Sequence, residues 1–236
     1  MDKFSTWTDL KGIKVGLIPI GSLEQHGHHL PIATDSIIAE ALANELGKSL
    51  ENSFVVPVLP YSASFEHASF PGSISLRSTT IISVVKDVVH SLERMGIEKC
   101  IIVNGHGGNY LLGNIAQEMN VDRPRLLITP NRKHWENAYK EAGISSTTSE
   151  DMHAGEAETS ILLHLYKEKN VVKTEKYIDI ESPKRDLLTA LGMKPYTKTG
   201  TIGFPTRAAA KKGKILLHHL TKQIELTVKE FINLDT

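Results

Sequence analysis

The chain has 236 residues, 40% of them hydrophobic, with 27 Lys and Arg balancing 27 Asp and Glu, a size that fits one α/β domain spanning residues 1–236. A formal net charge of zero, with no block of five or more like charges, excludes the field that would gather nucleic acid or anionic lipid. The apolar stretches are short and the N-terminal MDKFSTWTDLKGIK is polar, so a cytoplasmic protein with no membrane partner is expected. The single cysteine, Cys100, allows neither an intrachain disulfide nor a Cys-rich zinc site, leaving histidines and carboxylates as the material for any metal centre.

In chain order, the β-branched run IKVGLIPI (13–20) reads as a buried strand that ends at Gly21. SIIAEALANELGKSL (36–50) has a helical apolar face with Asp35 or Ser36 placed to cap it. FVVPVLP (54–60) is an edge or interrupted strand, because Pro57 cannot donate to a ladder. Ile81, Val85, Val88, Leu92 and Met95 trace a helix over 79–95 that Gly96 closes. CIIVNGHGGNYLLGNIAQEM (100–119) gives a strand, a Gly-rich turn and a helix that Asn109 can cap. A strand at 125–129 and helices at 132–142, 155–168 and 208–232 follow, while 170–207 is irregular and is expected to fold over something. Strands alternating with helices predict a mainly parallel sheet covered on both faces.

One loop stands out. GSLEQHGHHLPIATD (21–35) carries Glu24, His26, His28, His29 and Asp35, three of the eleven histidines in the chain. If the stretch is extended, Glu24 and His26 face one side and Gln25 the other. Asp35 returns at a helix start, His106 sits at a strand end, and His153 and Glu156 share the first turn of a further helix. Strand ends and helix starts are where open α/β sheets place their sites. Imidazole with carboxylate suits zinc, manganese or iron(II), and five or six such ligands exceed what one zinc needs, so a pair of cations is the natural reading. Each group also has a plainer explanation. The histidines can be loop residues, NGHGGN a tight turn or a phosphate cradle, and Glu156 and Glu158 a response to the helix dipole.

The segments GSLEQHGHHLP…TD, EHASFPGSISL, VNGHGGN, HAGEAETS and TGTIGFPTRAAAKKGKILL, in this order and over about residues 13 to 220, resemble the creatininase (creatinine amidohydrolase) family. The resemblance implies a three-layer α/β/α sandwich and two divalent metal ions, zinc first, with manganese or iron(II) as the other choices. It also implies a homo-oligomer, often a hexamer, acting on a small-molecule amide. By motif, Glu24, Asp35 and His106 resemble the ligands of one metal, and His26 with Asp35 those of the other, Asp35 being the bridge. Creatininase itself has a Glu two residues after the motif His, where this chain has Gly108. Glu156 is the expected replacement ligand, with Glu158 a positioning group in the catalytic set, although these two roles can be exchanged.

The expected reaction is hydrolysis of a non-peptide C–N bond, in a cyclic amide, lactam or formamide, by hydroxide made on the metals. His153 carries the proton to the departing nitrogen. STTSEDMH lacks the Trp that creatininase has before its His, which argues against creatinine as substrate. Deformylation of a formamidopyrimidine nucleotide, with Arg77 or Arg207 for its phosphate, and trimming of a mycofactocin peptide are the family alternatives. Glu66 and His67 are expected to line the pocket and 195–206 to cover it. Outside this class stand a metal-binding protein of the same fold without hydrolase activity and a nucleotide-binding domain.

Overall fold

The computed structural model describes residues 1–167 and 169–234; position 168, the expected end of the helix over 155–168, and the last two positions of the chain lie outside them. Four parallel strands, β1 (Val15–Ile20), β2 (Ser53–Val55), β3 (Lys99–Asn104) and β4 (Leu126–Thr129), form one sheet in the order β2-β1-β3-β4. β1 is buried at all six positions, which is why its sequence runs apolar without alternation. Successive side chains still point to opposite faces. Val15, Leu17, Ile101 and Val103 enter one core with helices α1 (Thr34–Ser49), α4 (Arg132–Glu141), α5 (Glu156–Leu165) and α7 (Ala210–Ile232). Ile18, Ile20, Cys100 and Ile102 enter the other with α2 (Ser78–Arg94) and α3 (Leu111–Met119). The result is a three-layer α/β/α sandwich.

Local chemistry sets most boundaries. Pro57 limits β2 to three residues, and pairing resumes only at an isolated bridge between Ile20 and Leu59. α2 buries Ile81, Val85, Val89 and Leu92, and Gly96 at φ 90° ends its last turn with a hydrogen bond to the Glu93 carbonyl. α4 starts with a capping box, Asn131 accepting from the His134 amide at 3.0 Å while His134 Nδ1 accepts from the Asn131 amide. Two expected caps are absent. α1 has Ala33 at its N-cap and α3 has Tyr110, each without a side-chain cap, because Asp35 and Asn109 are engaged elsewhere. Among its described residues, the long segment after α5 holds only a 3-10 turn, the four-residue α6 (Leu188–Leu191) and a second 3-10 turn at Pro205–Arg207. No helix among the described residues is long and apolar enough to cross a membrane.

α5 and α7 pack backbone to backbone at Gly213, where a Cβ would overlap the Ser160 carbonyl oxygen. Gly213→Ala is therefore expected to lower stability by about 1–3 kcal/mol through overpacking, outweighing the gain in helix propensity of up to ~1 kcal/mol. Urea unfolding checks it: a raised midpoint would show that the two helices have room to spare.

Candidate metal centre

Parallel strands deliver their C-terminal ends to one edge of the sheet, so the loops after β1, β3 and β4 meet there. The loop after β1 leaves at Gly21, turns at Gly27 with φ 65°, and is tied back by the Glu24 amide donating to the Ile32 carbonyl at 3.0 Å. That reversal brings Asp35, in the first turn of α1, over the end of β1. Ser22 Oγ donates to Asp35 Oδ2 at 2.8 Å, His26 Nε2 lies 2.9 Å from Oδ1, and His106 Nδ1 lies 2.9 Å from Oδ2.

Glu24 is the central anomaly. It is 0% exposed and neither carboxylate oxygen has a hydrogen-bond partner. Around it, His67 Nε2 is 3.2 Å and His153 Nδ1 3.7 Å from Oε1, and His106 Nδ1 is 3.3 Å from Oε2, close but not aligned for hydrogen bonds. A buried carboxylate without partners is costly. A cation among these atoms removes the cost, and the donor set of imidazole and carboxylate suits zinc or manganese. Among the described residues, three groups bring ligand atoms within 4.8 Å of one another: Glu24 with Asp35 and His106, His26 with Asp35 and Glu158, and Glu24 with His26 and His153.

The charges follow from this crowding. Burial alone would lower the His26 pKa, but the adjacent Asp35 carboxylate overcomes it and raises the group to about 10. His106 is also buried, and Glu24 and Asp35 hold it well above the ordinary histidine value. Asp35 lies well below the usual carboxylate range, because the two imidazoliums outweigh its own burial. Burial pushes Glu158 up to about 7, although a fifth of its side chain still faces the cleft. Burial lowers His67 and His153.

The two glutamates of α5 stand in different surroundings. Glu156 is buried and ion-paired with Lys212 of α7, so its carboxylate is not in any of the three groups. Glu158 faces the cradle instead, with Oε2 3.9 Å from His26 Nε2 and accepting from the Ala154 amide at 2.6 Å. Gln25 also differs from the expectation. Its side chain does not point away but reaches His67 and His153. Gly108 has a clear reason to be glycine here, since a Cβ would overlap Glu66 Oε1 and His106 Nε2. Glu66, 3.3 Å from His106 Nε2, fills the space on that side.

Asp151 is a residue that the sequence reading missed. Buried beneath α5, it accepts from the amides of Glu156 at 2.6 Å, Ala157 at 3.0 Å and Phe204 at 3.1 Å, and so caps the helix that carries Glu158. An acidic residue just ahead of HAGEAETS was its available signal. His153 pairs backbone to backbone with Ile202, which brings the 197–204 segment against the site. His28 is exposed, and His29 is buried against Thr159 and Tyr177, outside the cradle.

A cleft of about 530 Å³ opens onto His106 and Glu158, walled by Tyr110, Trp135, Tyr139 and Met152 with Arg132 at its edge. Neither Arg77 nor Arg207 lines it. Arg207 stacks on Phe204, 3.8 Å from the ring centre, and lines a separate cavity.

The chain is 31% identical over 208 residues to the mycofactocin precursor peptide peptidase of Mycolicibacterium smegmatis, covering 84% of this chain and 77% of that protein. It is 24% identical to the creatinine amidohydrolase of Pseudomonas putida, covering 95% of this chain and 94% of that one. The solved structure named "Creatininase Mn" superposes with a TM-score of 0.84 at 21% identity, covering 97% of each chain. The family model for creatininase, creatinine amidohydrolase, matches residues 3–228. That match spans nearly the whole chain, and the chain belongs to the creatininase family of amidohydrolases.

Proposed function

We propose that this chain is a dinuclear metal-dependent amidohydrolase. The observation that carries the proposal is the pair of ligand groups sharing Asp35, beside a Glu24 carboxylate that is fully buried and without partners. Glu24, Asp35 and His106 would hold one cation and His26, Asp35 and Glu158 the other. Bound there, two divalent ions supply hydroxide at neutral pH and polarise the carbonyl.

The chain's own residues do the rest. His153 Nε2 is fixed 2.7 Å from the Gln25 carbonyl, leaving Nδ1 turned toward the cradle. Its lowered pKa keeps that nitrogen unprotonated at neutral pH, fit to take a proton from the attacking oxygen and pass it to the departing nitrogen. The 197–204 segment and the aromatic walls of the cleft limit water around the reacting amide.

For the substrate, the reading is a cyclic amide, lactam or formamide. A peptide C–N bond is the second reading, favoured by the likeness to the precursor peptide peptidase over 84% of the chain. Elemental analysis followed by assays on lactams, formamides and short peptides tests both. No metal uptake, or metal uptake without cleavage of any of these amides, would defeat the proposal.

The two glutamates separate cleanly in this scheme. Glu158→Gln is expected to drop metal content from two ions to about one with loss of hydrolysis. Glu156→Gln is expected to keep both ions but to lose about 1.5–3 kcal/mol of stability, because Lys212 loses its charged acceptor. Equal metal loss in the two variants would undo the assignment.

A further inference from the structure

Gln25 occupies a position that hydrogen-bond counting resolves. Its Oε1 accepts from the Gly27 amide at 2.9 Å, which fixes which end of the side-chain amide is nitrogen. That nitrogen lies 2.9 Å from His67 Nδ1, 3.0 Å from His153 Nε2 and 3.1 Å from the Gly200 carbonyl oxygen. It has two protons for three neighbours.

The conflict is settled by His153. Its Nε2 also lies 2.7 Å from the backbone carbonyl of Gln25, an oxygen that can only accept. His153 Nε2 therefore carries a proton and cannot accept one from the amide. The two amide protons go to the Gly200 carbonyl and to His67 Nδ1. His67, accepting at Nδ1, holds its own proton on Nε2, the atom 3.2 Å from Glu24 Oε1. His153, protonated at Nε2, turns its bare Nδ1 toward the same carboxylate at 3.7 Å. The two rings, 4.5 Å apart, thus present opposite polarity to the cradle.

We infer that Gln25 is a positioning residue that sets the tautomers of this histidine pair, so that His67 offers an N–H to the Glu24 side of the cradle and His153 offers a lone pair. With its N–H 3.2 Å from Glu24 Oε1, His67 presents a proton rather than a lone pair on that side and is barred from ligating a cation there itself. The same amide fastens the 197–204 segment, since Gly200, at φ 91°, approaches so closely that a Cβ would overlap Gln25 Oε1. The role of the pair in hydrolysis rests on the function proposed above; the tautomers themselves do not.

The test is ¹⁵N NMR of histidine-labelled protein, metal-free and zinc-loaded, with each ring identified by the cross-peaks lost in His67→Gln and His153→Gln. The wild-type protein is expected to show an unprotonated Nδ1 and protonated Nε2 in both rings. In Gln25→Glu, an acceptor replaces the donor, so His67 Nδ1 is expected to become protonated, and zinc affinity to fall about 10–100-fold. A protonated His67 Nδ1 in the wild type overturns the inference, and this readout stands even if the variant does not fold. An unchanged His67 signal in folded Gln25→Glu also overturns it, as does an inverted tautomer with unchanged zinc affinity. Failure of the wild type to bind zinc would sink the functional reading while leaving the tautomer result in place.

Discussion

Asp35→Asn is expected to empty both halves of the cradle at once and to abolish hydrolysis. The geometry makes this the most damaging single substitution in the site. One carboxylate faces His26 through Oδ1 and His106 through Oδ2, each at 2.9 Å, and it is the member common to two ligand groups. An amide has one acceptor oxygen and a nitrogen that repels a cation, so it cannot bridge two ions. The loss extends to the metal-free protein. His26 and His106 hold their protons against burial because Asp35 and Glu24 are beside them. Removing the charge of Asp35 leaves buried imidazoliums undercompensated, at a cost of about 3–5 kcal/mol. Zinc content by elemental analysis, expected to fall from two ions to fewer than one, and a urea midpoint read the two effects separately. An Asp35→Asn protein that retains both ions would remove the bridge from the scheme.

What the sequence revealed of this site, and what it hid, has a physical basis. His106 was legible because an apolar run ending in a Gly-rich turn marks the C-terminal end of a parallel strand, where a side chain must face the sheet edge. Asp35 was legible in place from local pattern, and in its use as a bridge only through the family resemblance. Position before an apolar helix suggests capping, yet its carboxylate is claimed by partners from β1 and β3 that local pattern does not display. The glutamates of α5 were ambiguous for a definite reason. Two residues apart, they point about 200° from each other around the helix, so which one meets the cradle depends on how α5 is rotated. That rotation is fixed by Lys212, on α7, and by Asp151 with the Phe204 amide, all contacts distant in the chain or across a loop. Gln25 was misread because its side chain is held by His67 and His153, partners from distant segments that alternation along the loop does not display. The 170–207 segment escaped description because its backbone satisfies itself through single bridges, such as Ile180 to Gly203, rather than through a ladder with a period.

Loading the metal-free protein with zinc at pH 7 is expected to release about two protons per chain. His26, raised to about 10, and His106, also well above its ordinary value, are both protonated at that pH without metal, and each must surrender its proton to become a ligand. Glu158, pushed up to about 7, adds a fraction of a third. The apparent affinity for each ion should therefore climb about tenfold per pH unit near neutrality, and the overall constant for loading both about a hundredfold, since each proton displaced contributes a factor of about ten. Stability of the metal-free state runs the other way. A histidine whose folded pKa is raised contributes stability that is complete below its unfolded value of about 6.5 and fades as pH rises through about 10. Asp35, depressed in the folded state, contributes above about pH 4 and loses its contribution only as pH falls through its lower folded value. Between pH 6.5 and 10 the protons that hold the empty cradle together are thus the ones zinc must displace, and the same two histidines couple folding to metal uptake. Calorimetry of zinc binding in buffers of different ionisation enthalpy counts the protons, and titrations at pH 6.5 and 7.5 give the slope. Heats independent of buffer, with affinity flat across that interval, would mean that His26 and His106 are already neutral and that Asp35 does not bind them as charged partners.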